Sequence, residues 1–386
     1  MDAKLAAAEV VARHRDELVG LSHRIHAHPE IKWEEERSAA WLAEALAGHG
    51  FAVEAGICEL PTAFAARIGS GPLHVVVCAE YDALPGIGHA CGHNVIAATA
   101  VGAALALAEV ADDLGLTVRV IGTPAEEGGG GKIMLLQRGA FAGAHMAMMA
   151  HPAPVDIADW PAISAQQFRI RYTGKEAHAS AYPELGINAA DALTVAQVAV
   201  GLLRQHTHPG DRVHGIVTHG GEAPNIVPAH TEAEYIIRGK TVPDLEVMRE
   251  RVMRCFEAGA LATGATLDVM ARHEPYAEVH HDPDMVAAYH RAATALGRIL
   301  PDLGQSSQRA AGSTDMGNVS LAVPSIHPAI GIDSLPAVNH QPEFAAHCVT
   351  PSADRALTDG AVALAWTAID CATDETIRTR LLAGGH

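Results

Sequence analysis

At 386 residues the chain is long enough for two domains of roughly 150 residues each, and with 49% hydrophobic and 19% charged residues it is not a disordered chain. Its formal net charge of −18 argues against nucleic acid as a partner, because phosphate binding wants a basic face. The six cysteines are scattered, with no C-x-x-C pair, which reads as reduced thiols of a cytoplasmic protein rather than a disulfide frame.

The N-terminal stretch carries charges throughout and has no signal-peptide apolar segment. Leu18, Leu21 and Ile25 fall at helical spacing, so Leu5 to about Ile25 reads as one amphipathic helix. A second helix is expected from about Glu34 to Ala47, stopped by Gly48 and Gly50. Strands follow at Phe51 to Glu54 and Ala63 to Ile68, and Leu73 to Ala79 is the continuous apolar run of a buried parallel strand. The loop EYDALPGIGHACGHN leads into Val95 to Ala108, an apolar run too short to span a bilayer and suited to a buried helix, with Asn94 placed to cap it. A strand at Leu116 to Gly122, the loop TPAEEGGGGK, a short helix to about Arg138 and a strand at Met146 to Ala150 ending at His151 complete an α/β pattern with a mostly parallel sheet.

The pattern changes near Gln166. A strand (Gln167 to Tyr172), a helix (about Ile187 to Arg204), two strands, a helix (about Val242 to Ala262) and a last strand give a β-α-β-β-α-β order, a smaller α+β domain inserted in the first. The α/β pattern resumes after about Tyr276, with a strand near Ser325 to Ile332 and a final helix from about Pro351 to Cys371 capped by Thr350. The expected domains are 1–165 and 276–386 for the larger α/β body and 166–275 for the insert. No internal repeat or low-complexity tract is present.

Ligands in open α/β sheets gather beyond the carboxyl ends of the strands. Three polar clusters sit at such ends: Tyr81-Asp82 through Asn94, Glu126-Glu127, and His151. Cys91 and His93, two apart in a glycine loop, offer a thiolate and an imidazole to one point. The adjacent carboxylates of Glu126 and Glu127 repel each other unless a cation is near, which suggests one ligand and one proton acceptor. The glycine run after them fails the phosphate-loop test, since Lys132 is followed by Ile133 rather than Ser or Thr. His340, in AVNHQPEF, completes a set of S, N and O donors that favours zinc. Five protein ligands exceed what one open tetrahedral zinc needs, so two metals sharing a ligand is the simpler account.

These stretches, with GKEAHAS, APNIVPAH and GSTDMGNVS in the same order, resemble the dinuclear-metal aminoacylase and carboxypeptidase-G superfamily (metallopeptidase family 20), in the branch of the indole-acetyl-amino-acid hydrolases, over nearly the whole chain. The resemblance implies an amidohydrolase that cleaves an N-acyl or N-aminoacyl amino acid, such as a dipeptide, with a metal-activated water. It implies two divalent ions, zinc first, with manganese, cobalt or nickel tolerated. Cys91 takes the bridging-ligand place, with His93, Glu127, His151 and His340 as the other ligands. Glu126 is the general base that later protonates the leaving amine, and Asp82 the acid that supports the site. The insert is similar to the family's lid and homodimer interface. Its His178 takes the place of the histidine that reaches into the other copy's site and stabilises the oxyanion, and Asn225 and Arg238 hold the substrate carbonyl or carboxylate. Glu80-Tyr81 stands where many members carry Asp-Met, and Asn94 where many carry Asp, variants that resemble the sub-branch of β-alanyl dipeptidases and aminobenzoyl-glutamate hydrolases.

Two other readings use the same residues. Cys91 ahead of an apolar helix, with His93 or His151 as partner, could serve as the nucleophile of an amidase or acyltransferase. A non-catalytic metal-binding protein on the same fold is the other.

Overall fold

The computed structural model describes residues 2–301 and 312–384. The chain divides into two compact units, Met1–Pro161 with Val279–His386, and Ala162–Glu278.

The first unit is built on a six-stranded sheet in the order Ala52–Ala55, Phe64–Ile68, Leu116–Gly122, Leu73–Ala79, Met146–Met148, Ser325–Ile326. The last four strands run parallel, and the first two pair antiparallel at one edge. Leu73–Ala79 is buried on both faces, which explains its unbroken run of Val and Ala. Helix His93–Glu109 is apolar all round because it is covered all round: it packs on the sheet and against helices Ala3–Arg13, Arg15–His26 and Pro351–Thr373. Gly102 permits this closeness, since a Cβ there would sit 2.8 Å from that of Ala361. Thr350 caps the final long helix, its hydroxyl accepting from Ala353 N. No helix among the described residues is long and apolar enough to cross a membrane.

Four local expectations are corrected. The first helix is two, Ala3–Arg13 and Arg15–His26, broken at His14 (φ −98°, ψ 10°), whose ring folds forward onto Glu17. Asn94 is not a cap. Gly92 takes the cap position at φ 78°, so the helix starts at His93, and the buried Asn94 amide donates to Ser22 Oγ (2.8 Å) and Cys348 O (3.0 Å). The strand expected at Met146 to Ala150 stops at Met148, and His151–Ala153 forms a separate parallel pair with Ala329–Gly331. The single strand expected near Ser325 to Ile332 is likewise two short ones, Ser325–Ile326 and Ala329–Gly331. Pro328, in the gap between the two, lacks the N–H a continuous ladder would need.

The second unit is a four-stranded antiparallel sheet, ordered Thr266–Ala271, Ser164–Thr173, His230–Gly239, Arg212–His219. Alternate residues of Ser164–Thr173 and His230–Gly239 face helices Ala189–Leu203 and Val242–Thr263. Phe168, Ile170, Tyr172, Tyr235 and Ile237 meet Leu193, Leu245 and Phe256 in a core of its own. The β-α-β-β-α-β order read from the sequence is the order found.

Candidate metal centre

Strands Leu73–Ala79, Leu116–Gly122 and Met146–Met148 deliver their following loops to one rim. Two donor sets converge there and share one atom. In the first set are Cys91, His93 and His151; in the second, Cys91, Glu127 and His340; within each, the donor atoms lie no more than 4.8 Å apart. The Cys91 sulfur is 3.5 Å from Nε2 of His151 and 3.5 Å from Nε2 of His340. All five side chains named as ligands from the sequence therefore meet.

Each donor is oriented by a second contact. Nδ1 of His151 donates to Pro152 O at 2.8 Å, which leaves the Nε2 lone pair facing the thiol. Nδ1 of His93 is 2.9 Å from Oδ1 of Asp82, whose Oδ2 accepts the backbone N–H of Glu127 at 2.9 Å. One buried carboxylate thus orients the His93 ring in one loop and the chain at the Glu127 carboxylate in another. His340 has φ 68°, and its N–H donates to Ala90 O at 2.8 Å, tying its loop to that of Cys91. Gly92, also left-handed, lets Pro152 and Cys348 close behind the thiol.

The electrostatics point to a missing positive charge. Nε2 of His93 and Oε2 of Glu80 are buried and face each other at 3.4 Å, and buried Oε1 of Glu127 lies 3.4 Å from Nε2 of His340, without well-formed hydrogen bonds. Such atoms are rare in a folded protein and call for an ion or other partner. Oε2 of Glu126 lies 3.9 Å from Nε2 of His93. Burial, reinforced by the carboxylates of Glu80, Glu127 and Asp315, pushes Glu126 well above the usual carboxylate range. Burial also acts on Glu127 and Asp82, but the facing imidazoles of His340 and His93 hold Glu127 below its ordinary value, and His93 does the same for Asp82. Burial pulls His151 down to about 4, so its ring is neutral near neutral pH and open to a cation.

Four supporting residues escaped the sequence reading. Lys132, fully buried, donates Nζ to Glu80 and to Oδ1 of Asp315 (2.7 Å), and its backbone N–H donates to Oδ2 of Asp315 at 2.8 Å. A lysine opening the otherwise apolar run KIMLLQ was the available signal. Glu35 accepts the N–H of Ala125 at 2.8 Å and the hydroxyl of Thr62 at 3.1 Å, holding Ala125 at φ 58° just ahead of Glu126. Nothing in the run WEEE marks that role.

The three remaining residues belong to the second unit. Nδ1 of His178 accepts from the N–H of Ala181 (3.2 Å) and of Ser180 (3.3 Å). The adjoining segment pairs with it at Ile226, and Asn225 O accepts from Ala179 N at 3.0 Å. Both side chains are exposed. Arg238 stands on strand His230–Gly239 with Nε donating to Nε2 of His214 at 3.4 Å.

A sequence model of peptidase family M20/M25/M40 matches residues 76–358. The chain is 38% identical over 383 residues to a Xaa-Arg dipeptidase of Mus musculus, covering 95% of this chain and 88% of the relative. It is 33% identical over 281 residues to a p-aminobenzoyl-glutamate hydrolase chain of Escherichia coli (strain K12), covering 67% of this chain and 58% of that one. Among solved structures, the YXEP protein of Bacillus subtilis, a dinuclear metal binding peptidase, superposes with a TM-score of 0.71 at 23% identity, over 94% of this chain and 99% of that one. The aminobenzoyl-glutamate utilization protein of Klebsiella pneumoniae gives 0.69 at 19%, over 91% and 97%. These likenesses carry the fold, and the family match with the long dipeptidase alignment carries the rest: the chain is a hydrolytic enzyme and belongs to peptidase family M20/M25/M40.

Proposed function

We propose that this enzyme cleaves the amide bond of a small N-acyl or N-aminoacyl amino acid at two divalent cations held by Cys91, His93, Glu127, His151 and His340. The observation that carries this reading is the Cys91 sulfur standing between two donor sets, 3.5 Å from an imidazole of each. The buried atoms of His93 and Glu127, which make no well-formed hydrogen bond, fit a cation, and the mixture of thiolate, imidazole and carboxylate suits zinc, with manganese, cobalt and nickel tolerated by the same donors. When bound, the cations would polarise the scissile carbonyl and acidify the attacking water.

The protein's own part falls to named atoms. Glu126 accepts the proton of the attacking water on its carboxylate and delivers it to the leaving amine nitrogen. Burial among carboxylates raises its proton affinity, which suits delivery of the proton to the leaving amine, while beside bound cations that affinity would fall toward the range a base needs. Asp82 keeps the His93 ring and the Glu127 backbone in place while this happens. His178 supplies a hydrogen bond to the oxyanion in the other copy's site: with Nδ1 accepting two backbone N–H groups, the ring proton resides on Nε2. Asn225 and Arg238 bind the substrate's carbonyl or carboxylate in the same reading.

The second unit supports a homodimer. Its edge strand Arg212–His219 exposes Ile216 and Val217, and helix Ala189–Leu203 exposes Val198 and Leu202, apolar surface that a second copy would cover. A thiol-nucleophile mechanism fits less well, because burial and the Glu127 charge push Cys91 well above the ordinary thiol range without a cation. The relatives' names set the first substrates to try, Xaa-Arg dipeptides and p-aminobenzoyl-glutamate.

The test is Glu126→Gln. The variant should bind the same metal as wild type and turn over its best substrate about 10²–10⁴-fold more slowly. Full activity at unchanged metal content would sink the mechanism.

A further inference from the structure

We propose that His14, Glu17 and His49 form a separate, peripheral site for a first-row divalent cation, zinc by preference. Two of the three stand at the start of one helix and the third ends another. His14 is the break between helices Ala3–Arg13 and Arg15–His26, Glu17 lies in the first turn of the second of these, and His49 follows helix Glu36–Gly48 as its C-cap. None of them takes part in the centre around Cys91.

Both imidazoles aim one nitrogen at one carboxylate. Nδ1 of His14 is 3.1 Å from Oε2 of Glu17, and Nε2 of His49 is 2.9 Å from Oε1 and 3.1 Å from Oε2. The rings meet edge to face with centroids 4.7 Å apart, and the three donor atoms lie within 4.8 Å of one another. A tetrahedral zinc bound at 2.0–2.1 Å needs neighbouring donors roughly 3.3 Å apart. The nitrogen-to-oxygen separations of 2.9–3.1 Å already come near that spacing.

Two histidines and one glutamate make a set that selects zinc, cobalt or nickel over magnesium or calcium, because two of the three donors are nitrogen. The rings are about a quarter exposed and Glu17 nearly half, so water can fill the fourth position and the ion can exchange. Without an ion, the same carboxylate accepts an N–H from each ring. A cation takes the lone pairs of the other tautomers instead. Its effect is mechanical: it clips the interruption of the N-terminal helices to the end of the third, and ligand binding to the folded state raises stability.

The experiment uses the full-length enzyme with its catalytic metals in place, dialysed against zinc, beside His14→Ala, His49→Ala and Glu17→Gln. Wild type should retain one more equivalent of zinc than either alanine variant, and zinc should raise its thermal midpoint more than theirs, with basal activity alike in all. Glu17→Gln should bind that equivalent at least tenfold more weakly. Cobalt at this site should add tetrahedral absorption without the thiolate-to-metal band that Cys91 would give. Equal zinc content and equal midpoint shifts in wild type and variants would mean an ion pair only and overturn the proposal. Because the readout is a difference between proteins with intact Cys91, an error about the catalytic metals would leave that difference unchanged.

Discussion

Nζ of Lys132 donates to Oδ1 of Asp315 at 2.7 Å, a pair 183 positions apart in sequence with neither side chain exposed. The same ammonium serves Glu80, whose other oxygen faces His93. Taking charges out of water is repaid only by such partners, and removing one partner costs about 3–5 kcal/mol. Lys132→Met should therefore lower unfolding stability by about that amount, read from urea midpoints with the slope unchanged. A variant as stable as wild type would show that Glu80 and Asp315 do not depend on the lysine.

Cys91→Ala removes the donor common to both sets. It should lose bound metal and, with it, activity. Independently, metal should protect the Cys91 thiol of the wild-type protein from alkylation, followed by mass spectrometry before and after chelation. An alkylation rate indifferent to metal would mean the sulfur is not a ligand.

Gly92→Ala tests the geometry behind that sulfur. A Cβ there would stand 2.4 Å from Cγ of Pro152 and 3.2 Å from Sγ of Cys348, on a backbone at φ 78°. Strain of this kind costs about 1–3 kcal/mol. The expected result is a lower thermal midpoint together with weaker metal retention, since Cys91 and His93 flank the residue. Retention equal to wild type would mean the two ligands are placed independently of this turn.

Acid should weaken the fold through His89. Its ring is buried, and burial, with the nearby charges of His93 and His26, pulls it down to about 3 from an ordinary 6.5. The folded state thus excludes a proton that the unfolded chain binds. The stability this contributes is complete above about pH 6.5 and is lost as pH falls toward 3, each unit being worth about 1.4 kcal/mol. In urea titrations of metal-free protein, His89→Gln should flatten that acid limb. An unchanged limb would show that other groups set it.

Ile216→Glu places a charge on the exposed edge strand of the second unit. If that face joins two copies, light scattering should report half the wild-type mass. An unchanged mass would move the interface elsewhere.

Much of this was legible in the sequence because it is local. Apolar runs such as Leu73–Ala79 and His93–Glu109 announce burial on all sides, and polar residues just past strand ends announce a rim. That rule gathered Cys91, His93, the Glu126-Glu127 pair and His151 as candidates, and the division of roles among them came from the family resemblance. What was not legible depends on partners far along the chain. Lys132 looked like the tail of a glycine loop until Glu80 and Asp315 were seen around it. Glu35 acts on the backbone of Ala125, 90 residues away. The break at His14 has no Gly or Pro to mark it, and Asn94 gave up the cap position because Gly92 reaches a conformation that starts the helix earlier.

The two donor sets that share Cys91 draw on residues from 91 to 340, with the whole insert threaded between His151 and His340. During synthesis the sulfur, His93, Glu127 and His151 leave the ribosome long before the last imidazole does. Even the earlier donors wait, because His151 is held by the strand Ala329–Gly331 and the His93 helix by Pro351–Thr373, so both halves of the centre come into place only once the segment after the insert has been made.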